Sequence, residues 1–86
     1  MELLKQIDII NEYIEKTENI IAELSKILAS KEILLAGEGS EDFMREVGRD
    51  VLIYKNMIEH KKQEELSYRK RVEKLSKEID KDYGNK

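Results

Sequence analysis

Three features of this 86-residue sequence predict an all-α fold: an antiparallel hairpin of two long coiled-coil-like helices that associates into a homodimeric four-helix bundle. Apolar residues recur at alternating steps of four and three along most of the chain. Proline is absent while 41% of the residues are charged, and the repeat is interrupted once, at AGEGSED. Apolar spacing of that period is the seam of packed helices. Dense charge without proline suits long solvated helices better than a compact mixed fold. One Gly-rich interruption divides the repeat into two helices of a single domain.

The first helix is predicted over about residues 3 to 35. Its seam runs Leu3, Ile7, Ile10, Ile14, Thr17, Ile21, Leu24, Leu28, Lys31 and Leu35. With Ile7, Ile14, Ile21, Leu28 and Leu35 at heptad position a, the g positions hold Tyr13, Ile20, Ile27 and Leu34. Three apolar positions in seven make a stripe wider than one partner helix covers, a width that belongs to bundles.

A turn is predicted at 36 to 40. Gly37 and Gly39 supply left-handed or extended backbone, and Ser40 is a natural N-cap. Glu41 and Asp42 follow in a first turn whose dipole favours negative charge. So short a connection favours antiparallel neighbours.

The second helix is predicted over about residues 41 to 82, with 83 to 86 frayed. Its seam runs Met44, Val47, Val51, Tyr54, Ile58, Lys61, Glu65, Tyr68, Val72, Leu75 and Ile79. The unbroken spacing through Lys61 and Glu65 argues for one continuous helix. Gly48 weakens that helix by roughly 1 kcal/mol relative to alanine, and its bare backbone invites close approach of another helix.

Folding the chain about Glu38 pairs residues whose numbers add to about 76. Leu28 is then expected near Gly48, Leu24 near Val51, Ile21 near Tyr54, Ile14 near Lys61 and Ile10 near Glu65. In that register Leu75 and Ile79, with Tyr83 behind them, outrun the first helix. Leaving such side chains in water forgoes about 1.5 to 3 kcal/mol each, and a lone copy of this size buries only roughly 60% of its unfolded surface. The expected oligomer interface is therefore Tyr13, Ile20, Ile27, Leu34, Tyr68, Val72, Leu75 and Ile79. The expected partners are a second copy of the chain and a further protein that the sequence does not identify.

Lys61 and Glu65 occupy seam positions and form an expected polar core layer. Two readings stand. Their aliphatic stems can lie along Ile10 and Ile14 with the charged heads in solvent, or the layer fixes register and oligomer number.

Little in the sequence carries chemistry, and no catalytic, cofactor-binding or metal-ligating residue is assigned. Cysteine is absent, which removes disulfides and thiolate sites. The lone histidine, His60, has Glu64 as its one companion at helical spacing, beside two lysines. The serines fall on helix surfaces and a cap, and no nucleophile, base and oxyanion donor come together. Charge is uneven, since residues 1 to 54 carry net −6 and residues 55 to 86 net +3, matching the overall −3. The candidate basic patch is Lys62, Arg69, Lys70 and Arg71, flanked by Lys55 and Lys61. As a phosphate-binding stripe it would make the chain nucleic-acid-associated. Asp8, Glu12, Glu15 and Glu18 of the first helix are placed to neutralise it instead, which argues against nucleic acid. No free apolar face with a basic border argues for a membrane surface. The N-terminal MELLKQIDIINEYIEK lacks the continuous apolar run of a signal peptide, and nothing approaches the ~20 apolar residues of a membrane span. A cytoplasmic protein is expected.

One short string, Leu75-Ser76-Lys77-Glu78-Ile79-Asp80 ending in Tyr83, resembles the S-Q-E-L-D signature of the small helical-hairpin aspartyl-phosphate phosphatases that act on sporulation response regulators. The resemblance places Ser76, Glu78 and Asp80 on the signature and implies a regulator of a response regulator. Lys77 and Ile79 depart from it, and Ser76 lies far beyond the turn that the signature ordinarily follows closely. The reading that the residues support is a small non-enzymatic protein-protein interaction module, structural, adaptor or inhibitor. Its Lys, Glu and Ile bias suits a bacterial or phage source.

Overall fold

A computed structural model describes residues 2–84, with side chains for residues 2–81, as two helices: α1 (Leu3–Ala36) and α2 (Glu41–Gly84). They pack against each other as an antiparallel hairpin. At 1.5 Å per residue they are about 51 Å and 66 Å long. Residues 83 and 84 continue α2 where the sequence predicts fraying, and the side chain of Tyr83 lies outside the described residues.

The two helices are held at their ends in different ways. Ser40 caps α2: its Oγ accepts the Phe43 N–H at 3.2 Å and its carbonyl accepts the Met44 N–H at 2.9 Å. Glu41 and Asp42 occupy the first turn and Lys81 the last, all favourable to the helix dipole. For α1, Glu2 makes no side-chain cap, and no acid in the first turn or base in the last supports it. It is held by its seam. Its C-terminus closes where the Gly37 N–H donates to the Leu34 carbonyl at 3.2 Å.

The register differs from the one expected. Tyr13 stacks on Tyr68 and Lys31 reaches Asp50. Ile10, Ile14 and Leu75 form one buried cluster against Leu3, Ile7, Tyr68 and Val72. Ile14 thus faces Tyr68 where Lys61 was expected, so α2 is slid by one heptad, about 10 Å along the axis. In the connection Gly37 is extended, with φ −85° and ψ −167°, and no described residue has positive φ. In this register Ala36 lies level with about Glu46, so the first turn of α2 extends beyond the end of α1.

Two expectations fall with the old register. Leu75 is buried at 9% exposure against α1 of its own chain, and Ile79 is half-buried level with Leu3. The seam past Val72 needs no second chain to cover it. Lys61 and Glu65 lie level with Ile21 and Thr17, not with Ile14 and Ile10.

A single seam between two helices yields a thin core. The buried apolar residues are Ile10, Ile14, Leu24, Val47, Val51, Ile58 and Leu75, and among the described residues no large side chain falls below 2% exposure. The molecule measures 70 × 17 × 14 Å with a radius of gyration of 19.6 Å, against about 12 Å for a compact chain of this length. It exposes 6849 Å², whereas a compact monomer of 10.1 kDa exposes roughly 5300 Å².

Gly48 does not serve close packing within the hairpin. A Cβ there would meet only Leu35 Cδ1, at an ordinary 3.8 Å. Gly48→Ala is accordingly expected to raise stability by about 1 kcal/mol, read as a higher urea midpoint at unchanged slope; a destabilised variant would show that the site needs a bare backbone.

Candidate functional site

The feature of the hairpin that its own fold leaves unexplained is an apolar face. The seam consumes positions a and d and leaves the g row of α1 largely open to solvent, with Tyr13 stacked on Tyr68 at its edge. Tyr13, Ile20, Ile27 and Leu34 are 51%, 41%, 39% and 46% exposed. Ile9, four residues before Tyr13, extends the row and is also exposed. On α2 the residue preceding each of Met44, Val51, Ile58, Glu65 and Val72 borders the same side. These are Phe43, Asp50, Met57, Glu64 and Arg71. Phe43 and Met57 are exposed, with Ile53 one turn from Met57.

Two contacts across the hairpin establish that these rows share a face. Lys31 Nζ lies 3.2 Å from Asp50 Oδ2. Near the open end, Gln6, Ile9, Ile10, Tyr13, Tyr68 and Arg71 line one apolar groove of about 440 Å³. A neighbouring depression of about 370 Å³ lies between Lys70, Arg71, Lys74, Leu75 and Glu78.

The predicted interface residues thus divide. Tyr13, Ile20, Ile27 and Leu34 are open on this face, whereas Tyr68, Val72 and Ile79 are half-buried and Leu75 is buried in the hairpin's own seam. Phe43, Ile53 and Met57 did not emerge from the sequence. The signal was present, because Phe43 and Met57 stand one residue ahead of seam positions, but charged Asp50, Glu64 and Arg71 interleave with them and mask the row.

Beneath the middle of the face the core turns polar. Thr17 is buried at 5% exposure, and its hydroxyl donates to the Tyr13 carbonyl at 2.7 Å, a back-bond that satisfies it within the helix. Lys61 and Glu65 do not pair with each other. Lys61 Nζ donates to Glu64 Oε2 at 3.2 Å, and Glu65 lies 3.7 Å from Arg69, which also pairs with Glu18 across the hairpin. Both side chains are half-buried, with aliphatic stems in the seam and charged ends at its edge. Glu64 also accepts the Tyr68 hydroxyl at 3.3 Å through Oε1, and Lys16 Nζ sits 5.7 Å from the centre of the Tyr13 ring. Among the described residues no buried side-chain polar atom lacks a partner.

The expected basic patch is dispersed. Arg69, Lys70 and Arg71 are consecutive on a helix and diverge by about 100° each. Arg69 faces Glu18, one of the four acids expected to complement it, while Arg71 lines the groove on the opposite side. His60 and Lys62 are exposed, and among the described residues no group of three potential ligands is arranged to hold a metal ion. Ser76 is half-buried and Glu78 exposed near the open end, remote from the turn. No helix among the described residues is long and apolar enough to cross a membrane. Comparison of the chain with protein-family models, with curated proteins and with solved structures gave no match.

Partial burial, followed by the Glu64 carboxylate, raises the Tyr68 phenol above its ordinary value of 10.0. An acid whose folded-state value is raised stabilises the fold below the unfolded value, and that contribution is lost as pH rises through the folded one. Melts are therefore expected to show a decline in stability above about pH 10, and Tyr68→Phe to lessen it; an unchanged profile would show that Tyr68 is not its source.

A heptad seam matches itself after every slide of seven, so a polar layer that sets register has a distinct signature. Replacing Thr17 with Val and Lys61 and Glu65 with Leu is expected to raise the melting temperature while splitting the amide NMR spectrum into more than one set of peaks. A single sharp set would leave solvation of the charged heads as the layer's whole role.

Proposed function

We propose that the protein is a non-enzymatic interaction module, a helical hairpin that works as a homo-oligomer, with a dimeric four-helix bundle its simplest form. The observation that carries this reading is the exposed row Tyr13, Ile20, Ile27 and Leu34, with Phe43 and Met57 beside it. Isolated exposed apolar residues are ordinary on protein surfaces; a contiguous row along a helix marks an interface. The surface in excess of a compact monomer, about 1500 Å², is comparable to what a standard interface removes from water. Cytoplasmic residence, a bacterial or phage source and service as structural element, adaptor or inhibitor belong to the same proposal.

The reading does not draw on an overhanging α2, because Leu75 is buried and Ile79 half-buried within one chain. It rests on the width of the α1 stripe and the exposed residues beside it. Nucleic acid is a weaker reading, since Arg69 is engaged by Glu18 and Glu65 and the remaining cations point in different directions.

Sedimentation equilibrium is expected to give a mass of two chains at micromolar concentration. Ile20→Glu or Ile27→Glu should reduce the association constant on the order of 100-fold or more, since each change introduces a charge at both symmetry-related positions of the interface. Leu52→Glu and Leu66→Glu, on exposed residues away from the face, should leave it within a few-fold. A wild-type chain that stays monomeric at a hundred micromolar would refute the proposal.

A further inference from the structure

Resting on that reading, we infer that a second copy covers the face in antiparallel orientation, its turn end lying over this chain's open end, with the partner's Leu34 seated in the groove between Ile9, Tyr13, Tyr68 and Arg71. Three observations carry the inference.

The first is the spacing of the row. Gln6, Tyr13, Ile20, Ile27 and Leu34 follow one another at intervals of seven. A two-fold axis through Ile20, perpendicular to the helices, brings Ile20 onto its own copy, Tyr13 onto the partner's Ile27 and Gln6 onto the partner's Leu34. An isologous pairing requires that self-complementarity. The concave end of the face, the groove of about 440 Å³ that Gln6 and Tyr13 help to line, thus meets the end that offers an exposed leucine in place of a cavity.

The second is charge along the same face. At the open end stand Arg71 in the groove, Lys74 beside Glu78 in the adjoining depression and Lys16 over the Tyr13 ring, three bases against one acid. At the turn end stand Asp50, already paired with Lys31, Glu46 one helical turn before it, and Glu23 between Ile20 and Ile27, three acids against one base. Reversal about Ile20 sets Arg71 and Lys74 toward the partner's Asp50, and Lys16 toward the partner's Glu23. A parallel pairing would instead bring the two open ends together and the two turn ends together, so that like charges gather at each pole. Charge arranged in this way selects orientation more than it adds affinity.

The third is area. A strip about 50 Å long on α1, across a molecule 17 Å wide, offers on the order of 800 Å² per copy, the size of a standard interface. A shorter helix laid over the groove alone would leave Ile20, Ile27 and Met57 in water. A second copy covers the full row.

The native chain contains no cysteine, so disulfide trapping reads the orientation directly. Gln6→Cys and Leu34→Cys chains, each verified as helical by circular dichroism, are oxidised separately and as an equimolar mixture. The mixture should give a cross-linked dimer of one chain of each kind in at least tenfold greater yield than either variant alone. Raising salt from 50 mM to 500 mM should weaken association several-fold, and Arg71→Glu with Lys74→Glu should abolish that dependence. Efficient cross-linking of Leu34→Cys with itself would overturn the antiparallel orientation. A dimer by sedimentation that no pairing traps would overturn the choice of face while leaving self-association intact. A monomer by sedimentation would remove self-association itself.

Discussion

Two helices share one seam, and that limit shapes everything else about this molecule. Each helix can bury the strip that faces its neighbour and no more, so a hairpin of this length gains a long, shallow core in which, among the described residues, no large side chain is fully enclosed. Burial of apolar surface is the main favourable term in folding, and here it is spread thinly along 70 Å. A chain whose apolar stripe matched one seam would be complete as it stands. The stripe on α1 is broader by one position in seven, and that surplus is part of what the fold leaves in water.

How much of this could be read from residues alone follows from the symmetry of the repeat. Both helices, the Ser40 cap and the surplus row on α1 are legible because each depends on local spacing or on one residue's chemistry. The register is not. Moving α2 by seven residues returns every seam position to a seam position, so Ile14 can face Lys61 or Tyr68 with the same apolar pattern. What separates the two arrangements is the path of residues 37 to 40, which a sequence describes only as permissive of several conformations. Gly37 is extended, one of the conformations that glycine permits there. In the alternative register Leu75 and Ile79 would outrun α1; in the observed one Leu75 is buried and Ile79 half-buried.

The charged residues show the complementary lesson. At Lys61 and Glu65 the spacing located the polar layer, but the partners came from neighbouring turns and from the other helix: Glu64 for Lys61, Arg69 for Glu65, and Glu18 for Arg69. The chain's uneven charge is therefore partly resolved inside the hairpin, which drains the basic segment of its promise as a phosphate-binding surface. What survives on the open face is a smaller imbalance between its two ends.

Glu2 and the last turn of α2 emerge at the same pole of the rod, with the turn at the other. If copies pair head to tail as inferred, each pole of the assembly carries one chain's two ends and the other chain's bend. Whatever is tethered to the ends of one copy is then held on the order of 70 Å from its counterpart on the other, which makes the pair a rigid spacer with identical attachment points facing away from each other.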